Sequence, residues 1–232
     1  MNIGIIGSGQ VAQVLGDRLL DLGNAVMISS RDVNAGKDRG ARGVTPSARE
    51  WAAAQTEKGN DGAAAGSFAA AAAFGELLIN ATAGKSSLDA LGAAGRGDIE
   101  GKILVDLANP LDFSSGVLTL VYSSTDSLGE RIQQAYPGAR VVKTLNTVNA
   151  NVMVAPQDLP EETDMFVAGD DVAAKAWVTD EVLRGWLGWR RVMDLGDITA
   201  SRALEMYLPL WLRLVGATGT AALNVRVVKA PG

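Results

Sequence analysis

The chain opens on a short uncharged apolar run, Ile3, Ile5 and Ile6. A run of this kind predicts a strand buried on both faces, as in a parallel sheet. Gly7-Ser8-Gly9 follows at once, and Val11, Ala12, Val14, Leu15, Leu19, Leu20 and Leu22 then recur at helical spacing. The same alternation continues downstream. Apolar runs predict strands over 25–29, 63–66, 76–81, 103–107 and 141–145. Helices are expected between them, over 45–57, 67–74 and 127–136. Pro46 suits the first turn of the first of these. Ser127 with Glu130 three residues on is a capping box for the last. Beyond residue 150 the pattern predicts strands over 164–168 and 190–195 and helices over 172–187 and 199–216, the final helix kinked at Pro209.

Strands alternating with helices give the fold class α/β, as a Rossmann-type doubly wound, mostly parallel sheet. The expected organisation is a dinucleotide-binding domain over 1–145. A smaller α/β extension over 146–232 would complete the active site.

Strand, glycine turn and helix in immediate succession are the context of a dinucleotide fingerprint. Gly7 makes the tight turn, and Gly9 lets the backbone approach a pyrophosphate without a Cβ in the way. Ala12 stands in for the usual third glycine. The first N–H groups of the helix then face an anion. At the end of the second strand an NAD site usually carries an acid, whereas an NADP site has none and an Arg nearby. This chain reads Ser29-Ser30-Arg31-Asp32. The serines can donate to a 2′-phosphate and Arg31 can lie against it, with Lys37 a second cation. NADP is the expected dinucleotide, with Asp32 turning back to a ribose the alternative.

The other strand ends mark the same sheet edge. Gly84-Lys85-Ser86 imitates the end of a P-loop, but Ile79 occupies the position that needs a glycine, which excludes an ATP site. The loop from Ala108 and Asn109 leaves the fifth strand where a nicotinamide ring would rest. Asn146, Thr147 and Asn149 follow the sixth, and such side chains suit a carboxamide or a ring edge.

Composition narrows the chemistry. The 232 residues are 47 % apolar, enough for a sizeable core, and the net charge of −5 argues against nucleic acid or an anionic membrane as partner. There is no Cys and no His. Thiolate nucleophiles, His-based triads, disulfides and ordinary zinc sites are therefore excluded, and no metal is expected. Hydride transfer between two bound cofactors meets that condition, because the cofactors carry the chemistry. No basic run precedes the first strand, and Pro209 and Arg213 interrupt the longest apolar stretch, so a cytoplasmic protein without signal peptide or membrane span is expected. Met206, Leu210, Trp211 and Leu214 make the last helix very apolar, which suits core or a homodimer face.

Five segments together resemble one family: MNIGIIGSGQVAQVLG, ISSRD, VVKTLNTVNANVM, FVAGDD and DLGDITASRALEMYLPLWL. They resemble the NADP oxidoreductases dependent on the deazaflavin coenzyme F-420, and the cytoplasmic domain of the STEAP-type metalloreductases is similar to the same segments. The resemblance implies hydride transfer between NADP(H) and a deazaflavin or flavin ring stacked on the nicotinamide, with no catalytic side chain. It places Ser8, Gly9, Gln10 and Val11, after the Gly7 turn, at the pyrophosphate, and Ser30 and Arg31, with Lys37 through a gap, at the 2′-phosphate. It puts Thr82 and Ser86 along the cofactor and the backbone of Ala150 at the carboxamide. Asn146-Thr147 stands where the deazaflavin enzymes carry His and Pro and is closer to the metalloreductase form.

Two other functions fit the residues. One is an imine or carbonyl reductase, which needs a proton donor, with Lys85, Tyr122 and Lys143 as candidates. The other is a non-catalytic NADP(H) sensor.

Overall fold

The computed structural model describes residues 1–38 and 44–230. Its first unit is β1 (Asn2–Ile6), α1 (Gln10–Asp21) and β2 (Ala25–Ser29), followed by α2 (Ala48–Glu57) and β3 (Ala63–Gly66). Next come α3 (Phe68–Phe74), β4 (Leu77–Asn80), α4 (Ser87–Ala94), α5 (Arg96–Ile99) and β5 (Ile103–Asp106). The chain continues through α6 (Leu128–Ala135), β6 (Arg140–Thr144), α7 (Ala150–Val154), β7 (Asp164–Ala168) and α8 (Val172–Trp177). It ends with β8 (Arg191–Asp194), α9 (Ser201–Met206), α10 (Leu208–Thr218) and an extended tail.

One eight-stranded sheet runs in the order β8-β7-β6-β5-β4-β1-β2-β3. All neighbours are parallel except β6 and β7. The section from β3 to β6 is the doubly wound order, and its direction reverses between β1 and β4. Ligands of such sheets bind at that switch point, outside the carboxyl ends of the strands.

Alternation along each strand feeds two cores. Ile3, Ile5, Val26, Ile28, Leu77, Ile79, Val105 and Val142 face one side, with α1, Trp51 of α2 and α7. Ile6, Leu78, Leu104 and Val141 face the other, with α3, α4 and α6. The alanine-rich α3 packs very close to the sheet. A Cβ on Gly4 would stand 2.1 Å from the Ala71 carbonyl oxygen.

Several local expectations change. Pro46 precedes the helix, whose N-cap is Ser47; Ser47 and Glu50 form a complete capping box. At α6 the box is half-made. Ser127 accepts the Glu130 N–H, but its own N–H goes to Asp126, and the Glu130 carboxylate serves the Ser127 hydroxyl and Arg202. Past Trp177 the helix widens into i→i+5 turns over Val178–Trp186, and Trp177 and Trp186 pack edge to face with centroids 5.9 Å apart. α9 and α10 join through Tyr207, which has helical dihedrals. Pro209 has no N–H to give the Glu205 carbonyl, which divides the helix there. Among the described residues no helix is long and apolar enough to cross a membrane.

Candidate functional site

The loops after β1, β2, β4, β5 and β6 meet at the carboxyl edge of the sheet. Gly7 has φ +130°, and a Cβ there would lie 2.6 Å from the Ala81 carbonyl oxygen, so the turn requires glycine. Its N–H and C=O exchange 3.1 Å hydrogen bonds with Ser29, which ties the first two loops together. Ser8 gives its carbonyl to the Gln13 amide, 3.0 Å away. Gly9 is the N-cap of α1, and no side chain caps that helix. By contrast α2, α3, α6, α7 and α8 are each capped by a Ser, Asn or Asp side chain. The N-terminus bearing the fingerprint therefore has no side-chain cap, as is also true of α4, α5, α9 and α10, with Gln10 exposed and Val11 half-buried in its first turn.

The end of β2 divides its two serines. Ser29 is fully buried and donates to the Ile5 carbonyl at 2.8 Å, so it is not available to a phosphate, contrary to the sequence reading. The Ser30 hydroxyl is buried with no hydrogen-bond partner among the described residues. Arg31 beside it is exposed and makes no ion pair among them. Asp32 is engaged locally, accepting the Asn34 N–H at 2.9 Å. Lys37 starts a two-residue strand paired with Val44–Thr45; its side chain lies outside the described residues.

Across the switch point, Thr82, Asn80 and Ser87 close a ring of hydroxyl and amide hydrogen bonds. Thr82 donates to Asn80 Oδ1 at 2.7 Å, lies 2.6 Å from the Ser87 hydroxyl, and Asn80 Nδ2 donates to Ser87 at 3.2 Å. Ser86 is the N-cap of α4 but makes no cap bond, which leaves its hydroxyl open. A Cβ on Gly84 would sit 2.2 Å from the Asn109 carbonyl oxygen, which accepts the Gly84 N–H at 3.1 Å. Asn109 and Asn146 are then clasped, the Asn109 side chain donating to the Asn146 backbone carbonyl and the Asn146 side chain to Asn109 Oδ1. Asn146 also donates to the Leu204 carbonyl of α9 at 3.1 Å. Leu145, buried at the exit of β6, has φ +61°, an unfavourable backbone for Leu that swings the chain into this clasp. Asn146 Oδ1 and Thr147 Oγ1 are buried without partners among the described residues. Ala150 is the first residue of α7, which Asn149 caps.

Beneath these loops lies a charged row absent from the sequence reading. Asn80, Asp106 and Lys143 sit side by side in register on β4, β5 and β6. Lys143 is completely buried and lies 2.9 Å from both Asp106 and Glu205. Burial alone would push its ammonium down, but the two carboxylates outweigh that and hold it above the ordinary lysine range. Burial pushes the Glu205 carboxyl up against the pull of Lys143. Lys143 is thus paired on both sides and has no exposed surface. Tyr122 lies under the Arg131 guanidinium, 4.5 Å from ring centroid to Cζ. Lys85 is more than half exposed and pairs with Asp112 at 3.5 Å. The available signal for the row was a polar residue near the end of three successive apolar strands, ELLIN, ILVD and VVKT.

Comparison with known proteins gives a consistent picture. Residues 2–110 match the model of the family described as NADP oxidoreductase, coenzyme F-420-dependent. The crystal structure of a candidate F-420-dependent NADP-reductase from Arthrobacter sp. FB24 is 45 % identical, with a TM-score of 0.88, covering 99 % of this chain and 100 % of that one. Metalloreductase STEAP3 of Rattus norvegicus is 28 % identical over 214 residues, 90 % of this chain; the chain spans 37 % of that protein's length. A reductive aminase from Aspergillus terreus, in complex with NADPH and ethyl levulinate, shares the fold at 18 % identity, with a TM-score of 0.61 over 94 % of this chain and 62 % of that one.

Proposed function

This chain belongs to the family of NADP oxidoreductases dependent on coenzyme F-420, and from that premise we propose that it moves a hydride between NADP(H) and a deazaflavin or flavin ring. The observation that carries the reading is the end of β2. A buried serine hydroxyl, Ser30, stands beside Arg31, neither with a side-chain partner among the described residues, while the Ser29 hydroxyl is engaged by Ile5 and one Asp32 oxygen by the Asn34 N–H. Ser30 and Arg31 are the groups a 2′-phosphate needs.

Gly7, Ser8, Gly9, Gln10 and Val11 hold the pyrophosphate against the uncapped start of α1. Ser30 and Arg31, with Lys37, take the 2′-phosphate. Thr82, Ser86, Ala108 and Asn109 line the path toward the nicotinamide, and Asn146, Thr147 and the Ala150 backbone hold its carboxamide. The nicotinamide supplies the hydride chemistry when bound. The protein's contribution is position: two rings face to face, close enough to react, in a site that keeps water out. Two copies pair through α10, whose described residues are mostly uncovered; only Leu208 is buried.

The test is a stopped-flow titration of the purified protein with NADPH against oxidised coenzyme F-420, FMN and FAD in turn. Fast, saturable NADPH oxidation with one ring is expected. Tight NADPH binding with no oxidation by any ring would overturn ring-to-ring transfer and leave the small-substrate reductase or the sensor. Absence of NADPH binding would overturn the NADP assignment itself.

A further inference from the structure

The buried charged row has no part in the function proposed so far. It begins on α9, where Glu205 accepts the Leu128 and Gly129 N–H groups of α6 at 2.8 and 3.1 Å. It passes through Lys143 on β6, which also donates to the Ala108 carbonyl. Asp106 receives Lys143 on one oxygen. On the other it receives the Ala108 N–H at 3.1 Å and Asn80 Nδ2 at 2.8 Å. Asn80 in turn accepts the Thr82 hydroxyl. Both backbone groups of Ala108 are therefore held by this one ion cluster, and Thr82 is held one link further on.

Three fully buried ionic groups are costly, and an apolar core of equal volume is often as stable. Stability alone is therefore a weak account of the row. Its ends are informative. Among the described residues it reaches the loops after β4 and β5, the start of α4 through the bond from Asn80 to Ser87, and α6 and α9, on the side of the switch point away from Gly7, Ser30 and Arg31. In a doubly wound sheet the two nucleotide halves of a dinucleotide lie on opposite sides of that point. The row thus underlies the nicotinamide half alone.

We propose that Lys143, with Asp106 and Glu205, is a positioning group that sets the height of the Ala108–Asn109 and Thr82 loops against the nicotinamide ring. The inference rests on the NADP reading above. Lys143 itself contacts no ligand; it acts through Ala108 and Asn80. Glu205 makes α9 part of the same device, so the ring platform is completed only when α9 is docked.

The experiment compares two probes on wild type, Lys143→Met, Glu205→Leu and Glu205→Gln. One is 2′,5′-ADP, which reaches only the adenosine half, measured by calorimetric titration. The other is the fluorescence of bound NADPH, which rises when the dihydronicotinamide is fixed in a dry site. Wild type should bind 2′,5′-ADP and show the fluorescence gain. Lys143→Met and Glu205→Leu should keep the 2′,5′-ADP affinity and lose the gain. Glu205→Gln keeps one carbonyl oxygen, enough for Lys143 and the Gly129 N–H but not for the Leu128 N–H, and should restore it in part. A gain retained in both Lys143→Met and Glu205→Leu overturns the proposal. So does loss of 2′,5′-ADP binding along with the gain, because the row would then serve the whole fold. A wild type that binds neither probe would strike the NADP reading instead, which keeps the two failures apart.

Discussion

Asn109 and Asn146 exchange hydrogen bonds across the carboxyl edge of the sheet. Asn109 Nδ2 donates to the Asn146 carbonyl at 2.8 Å, and Asn146 Nδ2 donates to Asn109 Oδ1 at 2.9 Å. The clasp joins the β5 and β6 loops, and Asn146 extends it to α9. Asn109→Ala removes both bonds and strands a buried carbonyl. A loss of about 1–3 kcal/mol follows from leaving such a group unsatisfied. Urea denaturation should show a lower midpoint at an unchanged slope.

Arg31 makes no ion pair among the described residues, and the phosphate contact proposed for it is what would separate NADP from NAD. Arg31→Ala should weaken NADP+ roughly tenfold to a hundredfold, the range of one charged hydrogen bond. NAD+ has no 2′-phosphate, so its affinity should not move. Equal losses for both dinucleotides, measured by titration, would remove Arg31 from 2′-phosphate recognition.

The parts of this molecule that could be read in advance are those set by local pattern. β2, β3 and β7 fall on the expected residues, and the other strands of the large sheet fall within two residues of theirs, because an apolar run flanked by turns is a local signal. The edge where a ligand binds follows from strand order by a general rule. What stayed hidden depends on register. Nothing near Asn80, Asp106 or Lys143 in sequence says that they are neighbours; only strand pairing makes them a row. The Asn109–Asn146 clasp is hidden for the same reason. The ladders Lys37–Asp38 with Val44–Thr45 and Leu111–Asp112 with Thr119–Leu120 are too short to show a period. Leu145 gives no hint of its positive φ, since a turn of that kind usually announces itself with Gly or Asn.

Glu130 gives the stability a defined acid dependence. The Arg202 guanidinium holds its carboxyl below the ordinary glutamate range, burial opposes this, and the Ser127 hydroxyl adds to it. A carboxyl with a depressed folded pKa contributes stability above its unfolded value, about 4.3. That contribution is lost as pH falls through the folded value. Melting temperature should therefore drop on acidification below about pH 4 more steeply in wild type than in Glu130→Gln. Parallel curves would show that the pair is without thermodynamic weight.

Lys85 separates the two enzymatic readings. It is paired with Asp112 near the surface, a solvated arrangement. A transfer between rings needs no proton donor there, so Lys85→Met should leave the turnover number for NADPH oxidation by a ring unchanged. An imine or carbonyl reductase using Lys85 as acid would lose turnover by about 100-fold to 10,000-fold, the usual worth of general acid catalysis.

The α10 sequence LPLWLRLVGAT is more apolar than its burial explains. Only Leu208 is buried, and Leu210 is 55 % exposed. Met206 at the end of α9 and Phe113 and Val121 near the Leu111–Leu120 ladder are also large apolar side chains left open. Apolar surface of this extent calls for cover. Pairing of two copies by a twofold axis would supply it, because each α10 meets its own chemistry across the axis. Sedimentation at micromolar concentration should give a dimer for wild type. Leu210→Glu introduces a charge into the middle of the buried face and should give a monomer with an intact circular-dichroism spectrum. A wild-type monomer, or a Leu210→Glu variant that remains dimeric, would place the contact elsewhere or remove it.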